Sequence, residues 1–190
     1  MNNDKLEKIK QIVKEKDTEE DFNYHIVPVV KNSFLLADKL KVDNEVVEVA
    51  AWLHDIGRIV NNTTFEKENE HHTEGEKEAV KVLSELGYEK EFIEKVAHCV
   101  LTHRGREGAK PKTVEAKIVA SADAMSHLDT FLDMIVSFSK EIDSFEELIN
   151  VIERKIKIDW DEKMIPEARE IVKNKYDAIM LLIKSMKGYI

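Results

Sequence analysis

The chain has few of the residues that crosslink a protein or turn it sharply. Its 190 residues include one cysteine, three prolines and six glycines. The single cysteine, Cys99, excludes an intrachain disulfide and any CxxC zinc site, and scarce proline and glycine predict long regular elements. No apolar run approaches the ~20 residues of a membrane span, and residues 1–5 lack the apolar core of a signal peptide. We therefore expect a cytoplasmic protein without a membrane partner.

Basic residues are outnumbered by acidic ones, 29 against 38, which gives a formal net charge of -9. General nucleic-acid binding needs a basic stripe, so we expect none. A small anionic substrate stays compatible with this charge, because a bound metal ion can dominate the potential of a site. With 43% hydrophobic residues, a chain of this length predicts one domain with a sizeable core over residues 1–190.

Apolar residues recur with helical spacing along almost the whole chain, and no stretch alternates as a strand would. The predicted helices cover residues 4–16, 22–41, 44–56, 74–86, 89–102, 113–138, 144–158 and about 163–187. Gly57 and Gly87 are placed as helix stops. The sequence predicts an all-α bundle of about seven or eight helices. Residues 140–190 close this bundle, and the alternative for the last helix is a homodimer contact.

Three polar positions stand out on this apolar background. His54-Asp55 lies in the last turn of an apolar helix, and Asp123 sits among small and apolar residues for more than a turn either way. His25 lies close to Pro28, which belongs in the first turn of a helix. A buried carboxylate is costly unless it is paired or bound to a metal. The alternatives are buried ion pairs with Lys or Arg and histidines satisfied within the core.

Together these positions form a set of two imidazoles and two carboxylates, His25, His54, Asp55 and Asp123. Such a set suits a borderline-to-hard divalent ion that keeps open positions for water and substrate. The order H…HD…D, with His54–Gly57 reading HDIG, resembles the HD-domain metal-dependent phosphohydrolase superfamily. The resemblance covers residues 22–132, and residues 140–190 resemble nothing comparable. It implies a compact all-α fold and one divalent ion on these four residues, with Mn, Fe, Co, Ni, Mg and Zn not distinguishable.

Further histidines raise the question of a second ion, because many two-metal members of this superfamily carry additional histidines between the HD pair and the last Asp. The candidates for a second metal or for substrate binding are His71, His72, His98 and His103. His98 and His103 are about 140° apart around a straight helix. Both can face one point only if the helix ends before His103, which Gly105 favours. The alternative for His71 and His72 is an exposed loop pair, and that for His98 and His103 is core packing and a helix cap. His127 is expected to lie behind the metal ligands or to be incidental.

The resemblance implies hydrolysis of a small phosphorylated substrate, with a nucleotide as the expected class, by attack of metal-activated water. Asp55 is placed to orient or deprotonate that water or to bridge two ions, and Arg58 follows the HDIG turn as a catalytic candidate. Negative charge grows on the phosphate during reaction and needs cations. The phosphate-binding candidates are Arg58, Arg104, Arg106 and Lys110. The alternative for the three loop cations, those in residues 104–112, is ordinary solvated surface.

Two other functions fit the same motif. An HD-fold diiron oxygenase would use the additional histidines as ligands of a redox pair. A non-catalytic HD module would bind a metal or a ligand without turnover. The complete set of four polar residues argues against the second alternative, because a degenerate domain has no reason to keep buried ligands.

Overall fold

Helices account for the regular structure of the chain. A computed structural model describes residues 3–42, 44–61, 71–105 and 109–189, with the side chains of residues 60, 61, 71 and 72 left out. The helices are α1 (Asn3–Lys16), α2 (Glu19–Asp21), α3 (Val27–Leu40), α4 (Asn44–Leu53), α5 (Ile56–Asn61), α6 (His71–Glu85), α7 (Lys90–Thr102), α8 (Val114–Asp129), α9 (Phe131–Ser139), α10 (Phe145–Ile158) and α11 (Pro166–Lys187). Over these ranges no strand occurs, so the all-α prediction is confirmed.

Helix α8 runs through the middle of the bundle and contacts α3, α4, α7 and α11. Many of its buried side chains are small, which lets the neighbouring helices approach closely. The small residues buried there are Ala116, Ala120, Ser121, Ala122, Ala124 and Ser126. Thr113 caps the helix, since its Oγ1 accepts a hydrogen bond from the Ala116 N–H at 3.2 Å. Asp123 and His127 therefore stand on a capped helix that is packed against four others.

The predicted helix over residues 22–41 is interrupted at its start. Phe22–Ile26 form a π-helical turn, in which the Val27 N–H donates to the Phe22 carbonyl. Pro28 lies in the first turn of α3, as predicted. It has no N–H, so it cannot donate the hydrogen bond that a regular α-helix would make to the residues before it. Single π turns often occur at functional sites because they re-aim one side chain. Here the turn carries His25.

Two other helix boundaries differ from the expectation. Gly57 lies within α5 rather than ending a helix, and its backbone lies 3.4 Å from where a Cβ on Gly75 would be, so α5 and α6 pack closely. The predicted helix 113–138 is divided at Thr130, whose N–H and hydroxyl both donate to the Ser126 carbonyl. Gly87 does end α6, with a φ of 68°.

The C-terminal helices reach α8 through a second π-helical turn, Asp159–Lys163. Ser121 of α8 holds this turn: its hydroxyl donates to the Lys163 carbonyl and accepts from the Ile165 N–H, each at 3.0 Å. The turn is thereby fixed against the middle of α8. Among the helices of the described ranges, none is long and apolar enough to cross a membrane.

Candidate metal centre

The other three residues of the motif lie around the Nε2 atom of His25. His25 Nε2 lies 3.1 Å from His54 Nε2, 3.2 Å from Asp55 Oδ2 and 3.6 Å from Asp123 Oδ1. His25 comes from the first π turn, His54-Asp55 from the turn between α4 and α5, and Asp123 from α8. Elements remote in sequence thus present four metal-ligating groups to the same small volume.

The hydrogen bonds at Nδ1 fix the tautomers of both histidines. His54 Nδ1–H donates to the Ala51 carbonyl at 2.8 Å. The Ser126 hydroxyl donates to the Asp123 carbonyl at 2.7 Å, so it accepts from His25 Nδ1–H at 3.3 Å. Each Nε2 is therefore the ring nitrogen left to bind a metal, which is the arrangement of metal-binding imidazoles.

Electrostatics favour ionised carboxylates and a neutral His54. Burial lowers the pKa of His54 to about 4. Burial also disfavours the charged form of His25, but the adjacent Asp55 outweighs it and raises the pKa of His25. Burial opposes the charge of both acids, yet His54 and Arg58 hold the pKa of Asp55, and Lys163 holds that of Asp123, well below the usual value.

The donor set fits a divalent ion. Ligand atoms that lie about 2.1 Å from one ion are about 3.0 to 4.2 Å apart, depending on the coordination geometry. The donor atoms of His25, His54 and Asp55 lie within 4.8 Å of one another, and so do those of His25, Asp123 and His127. Two neutral imidazoles with two carboxylates suit Mn, Fe, Co, Ni or Zn. These residues could hold a metal, and they do not distinguish its identity or number.

Arg58 lies beside Asp55, as the HDIG turn suggested, and it donates to two carboxylates. Its Nε donates to Asp55 Oδ2 at 3.1 Å and its Nη1 to Asp21 Oδ2 at 2.8 Å. Burial disfavours the guanidinium, but Asp55 and Asp21 together raise its pKa. This arrangement orients Asp55 through its Oδ2.

A second group of charges, contributed by α10 and the second π turn, was missed by sequence reasoning. Lys163 Nζ donates to Asp123 Oδ2 at 2.8 Å, and its side chain is 5% exposed. Asp159 lies 3.5 Å from the same ammonium and accepts from Lys155 Nζ at 2.8 Å. The spacing of Lys155, Asp159 and Lys163, four residues apart on the same face as buried Ile156, was the available signal.

The remaining predicted residues have different environments. His103 lies in the centre: α7 ends at Thr102, and His103 Nε2 reaches to 3.4 Å from Asp55 Oδ1. His98 lies elsewhere, with its Nε2 accepting from the Lys112 N–H at 3.1 Å. Arg104 is half-buried and its charge acts on Lys163, whereas Lys110 is exposed. The side chains of His71 and His72, and Arg106 entirely, lie outside the described residues.

Comparison with known proteins agrees with this geometry. Residues 23–128 match the HD domain family, over more than half of the chain. The chain therefore belongs to the HD-domain family, as its motif suggested. It is 31% identical over 131 residues to Ribonuclease Y of Desulforamulus reducens and 33% identical over 102 residues to Ribonuclease Y of Desulforudis audaxviator. These matches cover 68% and 54% of this chain, and the chain spans less than a quarter of either relative, 23% and 17%.

Solved structures share the whole fold. Bacillus subtilis YpgQ superposes with a TM-score of 0.75 at 17% identity, covering 98% of this chain and 96% of YpgQ. YpgQ in complex with ADP gives a TM-score of 0.70 at 18% identity, covering 97% of each chain. The coverage extends the shared fold beyond the family match and includes the helices that carry Lys155, Asp159 and Lys163.

Proposed function

We propose that the chain is a metal-dependent phosphohydrolase that cleaves a phosphate ester or anhydride of a small molecule, with a nucleotide as the substrate class. The convergence of His25 Nε2 with His54, Asp55 and Asp123 within 3.1 to 3.6 Å carries the proposal. The ADP complex of YpgQ, a protein of the same fold, supports a nucleotide. The acidic net charge supports a small substrate over a long nucleic acid.

A divalent ion held by His25, His54, Asp55 and Asp123 would supply a water of lowered pKa and polarise a phosphoryl oxygen. Asp55 is the catalytic residue in this proposal, because its ionised carboxylate lies among the ligands and can orient the attacking water and accept its proton. Arg58 is a positioning residue, since its Nε fixes Asp55 Oδ2 at 3.1 Å.

Cations near the centre would balance the charge that develops on the phosphate. Arg104 is the best placed of the predicted candidates, because it is half-buried and lies near Lys163. Burial disfavours the charge of Lys163, but Asp123 and Asp159 raise its pKa, so it stays an ammonium beside the ligand. Lys110 is exposed and would contact only a substrate that extends outward.

His103 supports a second candidate chemistry. Its Nδ1–H donates to the Val100 carbonyl at 2.6 Å, and its Nε2 lies 3.4 Å from Asp55 Oδ1. A second ion on this side of Asp55 would make that carboxylate a bridge. Two iron ions there would favour an oxygenase over a phosphohydrolase, and oxygen consumption with an iron-dependent visible spectrum would identify it.

The test combines metal analysis with a substrate panel. Chelator-free wild type and His54→Ala are analysed for metal content, then assayed with Mn²⁺ or Co²⁺ against nucleoside mono-, di- and triphosphates and a short oligoribonucleotide. We expect at least one ion in the wild type, none in the variant, and phosphate release from a nucleotide. Cleavage of the oligoribonucleotide alone would replace the proposed substrate with RNA, the chemistry named for the Ribonuclease Y relatives. Metal binding without turnover would favour a binding module.

A further inference from the structure

His127 lies on the same side of α8 as Asp123, one helical turn later. Its ring stacks on that of His25 with centroids 5.5 Å apart and planes 17° apart. Its Nε2 lies 3.8 Å from Asp123 Oδ1, the oxygen nearest His25. Since Lys163 occupies Asp123 Oδ2 at 2.8 Å, the free side of that carboxylate faces both imidazoles.

The other ring nitrogen of His127, Nδ1, contacts a residue that lies outside the family match. Its Nδ1 lies 2.9 Å from Asp159 Oδ2, and Asp159 is fully buried. A carboxylate that accepts Nδ1–H fixes the imidazole with its Nε2 lone pair pointing away, as in carboxylate–histidine–metal arrangements. His25 and His54 are held in the same orientation, because their Nδ1–H groups donate to the Ser126 hydroxyl and the Ala51 carbonyl.

Lys155 is the competing partner, because its Nζ lies 3.0 Å from the same Nδ1. This ammonium also donates to both oxygens of Asp159, at 3.1 and 2.8 Å. The Asp159 carboxylate can accept several hydrogen bonds at once. Because the ammonium already donates to both carboxylate oxygens, we assign the Nδ1–H of His127 as a donor to Oδ2 and the Nζ–Nδ1 approach as a contact between two donors to the same carboxylate.

We propose that His127 is a third imidazole ligand of this metal centre, bound through Nε2 and presented by Asp159. The inference rests on the metal site of the proposed function. It gives the segment 155–163 a defined role, because its Asp159 orients a ligand and its Lys163 holds Asp123. The separation of 3.8 Å between His127 Nε2 and Asp123 Oδ1 is within the range for two ligands of one ion.

The experiment uses the full chain and metal ions alone. With ¹⁵N-labelled histidine and ¹¹³Cd²⁺, each ligating ring nitrogen shows scalar coupling to the metal, so the wild type itself reports whether His127 Nε2 ligates. Co²⁺ titrations then compare His127→Asn, whose amide can still donate to Asp159, with His98→Asn, the same change outside the centre. Asp159→Asn keeps the imidazole and removes its ionised acceptor, and His54→Ala tests the site itself.

We expect coupling at His127 Nε2, weaker Co²⁺ binding by about 10-fold or more in His127→Asn and by about 10- to 100-fold in Asp159→Asn, and unchanged binding in His98→Asn. If the wild type binds and His54→Ala does not, while His127 Nε2 shows no coupling, His127 is only a buried partner of Asp159 and the inference is wrong. A wild type that binds neither ion would overturn the proposed metal centre as well. The coupling is read on the wild type, so a variant that fails to fold leaves the test intact.

Discussion

The two carboxylates of the centre are held in different ways. Asp55 is surrounded by groups that lie within the family match: His25, His103 and Arg58. Asp123 depends on Lys163, which lies beyond the residues that match the family. The difference separates two tasks. The motif supplies the groups that would bind the metal, and the C-terminal segment supplies the cation that balances one of them.

The number of carboxylates relative to cations also differs between the surroundings of Arg58, beside Asp55, and those of Asp123. Around Arg58 three carboxylates, Asp17, Asp21 and Asp55, surround one guanidinium. Around Asp123, two carboxylates meet the two ammonium groups of Lys155 and Lys163. Buried charge is stable only when it is paired. The charges around Asp123 therefore balance without a metal, whereas carboxylates outnumber cations around Arg58, and an ion beside Asp55 would balance this excess.

Asp55→Asn should have the largest effect, because it removes the proposed proton acceptor and a ligand while keeping the shape of the side chain. We expect hydrolysis of the nucleotide that the wild type cleaves to fall by about 10³-fold, with weaker Co²⁺ binding and an unchanged helical circular dichroism spectrum. The control variant is Asp21→Asn, which removes the other carboxylate to which Arg58 donates and leaves Asp55 in place. Equal losses in both variants would contradict a direct role for Asp55.

Lys163→Met should come next and act mainly on the metal-free protein. It leaves Asp123 as a buried carboxylate without its ammonium, which costs about 3–5 kcal/mol in the free energy of unfolding. Co²⁺ should recover part of this loss, since the ion takes over the charge balance. Urea unfolding with chelator and with Co²⁺ measures both values. Lys157→Met, which removes an exposed ion pair on α10, should cost much less because solvent screens an exposed pair, and a similar loss in both variants would contradict the assignment.

The pH dependence of metal binding should separate the two motif histidines. Burial disfavours protonated His25, but Asp55 raises its pKa above the ordinary 6.5, so an ion must displace that proton. Burial lowers the pKa of His54 to about 4, so it is already neutral. We expect the Co²⁺ association constant to fall about tenfold per pH unit between pH 6.5 and 5.5. Calorimetry in two buffers should count one released proton, and a flat profile would contradict the His25 assignment.

Sequence reasoning found the motif half of the site and missed the other half for a physical reason. His54 and Asp55 are adjacent, and Asp123 stands out as a charge in an apolar helix, so local pattern alone marks them. Lys155 and Lys163 look like ordinary surface lysines in an amphipathic helix. Their burial against α8 depends on how the second π turn docks, through Ser121. The spacing of Lys155, Asp159 and Lys163 places them on one face, but it does not show that this face packs against α8.

The HDIG glycine shows the same limit on a smaller scale. Gly57 looks like a helix stop because it follows an apolar helix. Its actual role is close approach, since its backbone lies within 3.4 Å of where a Cβ on Gly75 would be. Helix ends set by backbone conformation, such as Gly87 with a φ of 68°, are visible from sequence. Glycines that serve contacts between helices become clear only in the fold.

The smallest predicted effect concerns Asp17, on the Arg58 side. Burial, partly opposed by Arg58, raises its pKa to about 6, and its Oδ2 lacks a hydrogen-bond partner within the described residues. The folded chain thus holds this proton more tightly than the unfolded chain, and the wild type loses stability as pH rises from about 4 through 6.

Asp17→Asn stays neutral and keeps an oxygen for the Thr18 N–H, which donates to Asp17 Oδ1 at 2.9 Å. It should therefore be more stable than the wild type by about 1 kcal/mol at pH 7.5, a value reduced for the partial exposure of the side chain, and equal to it at pH 4. Urea unfolding at the two pH values measures this, with exposed Asp143→Asn as the control. A gain that is the same at both pH values would mean that the charge of Asp17 is not its cause, and the excess of carboxylates around Arg58 would then carry no cost.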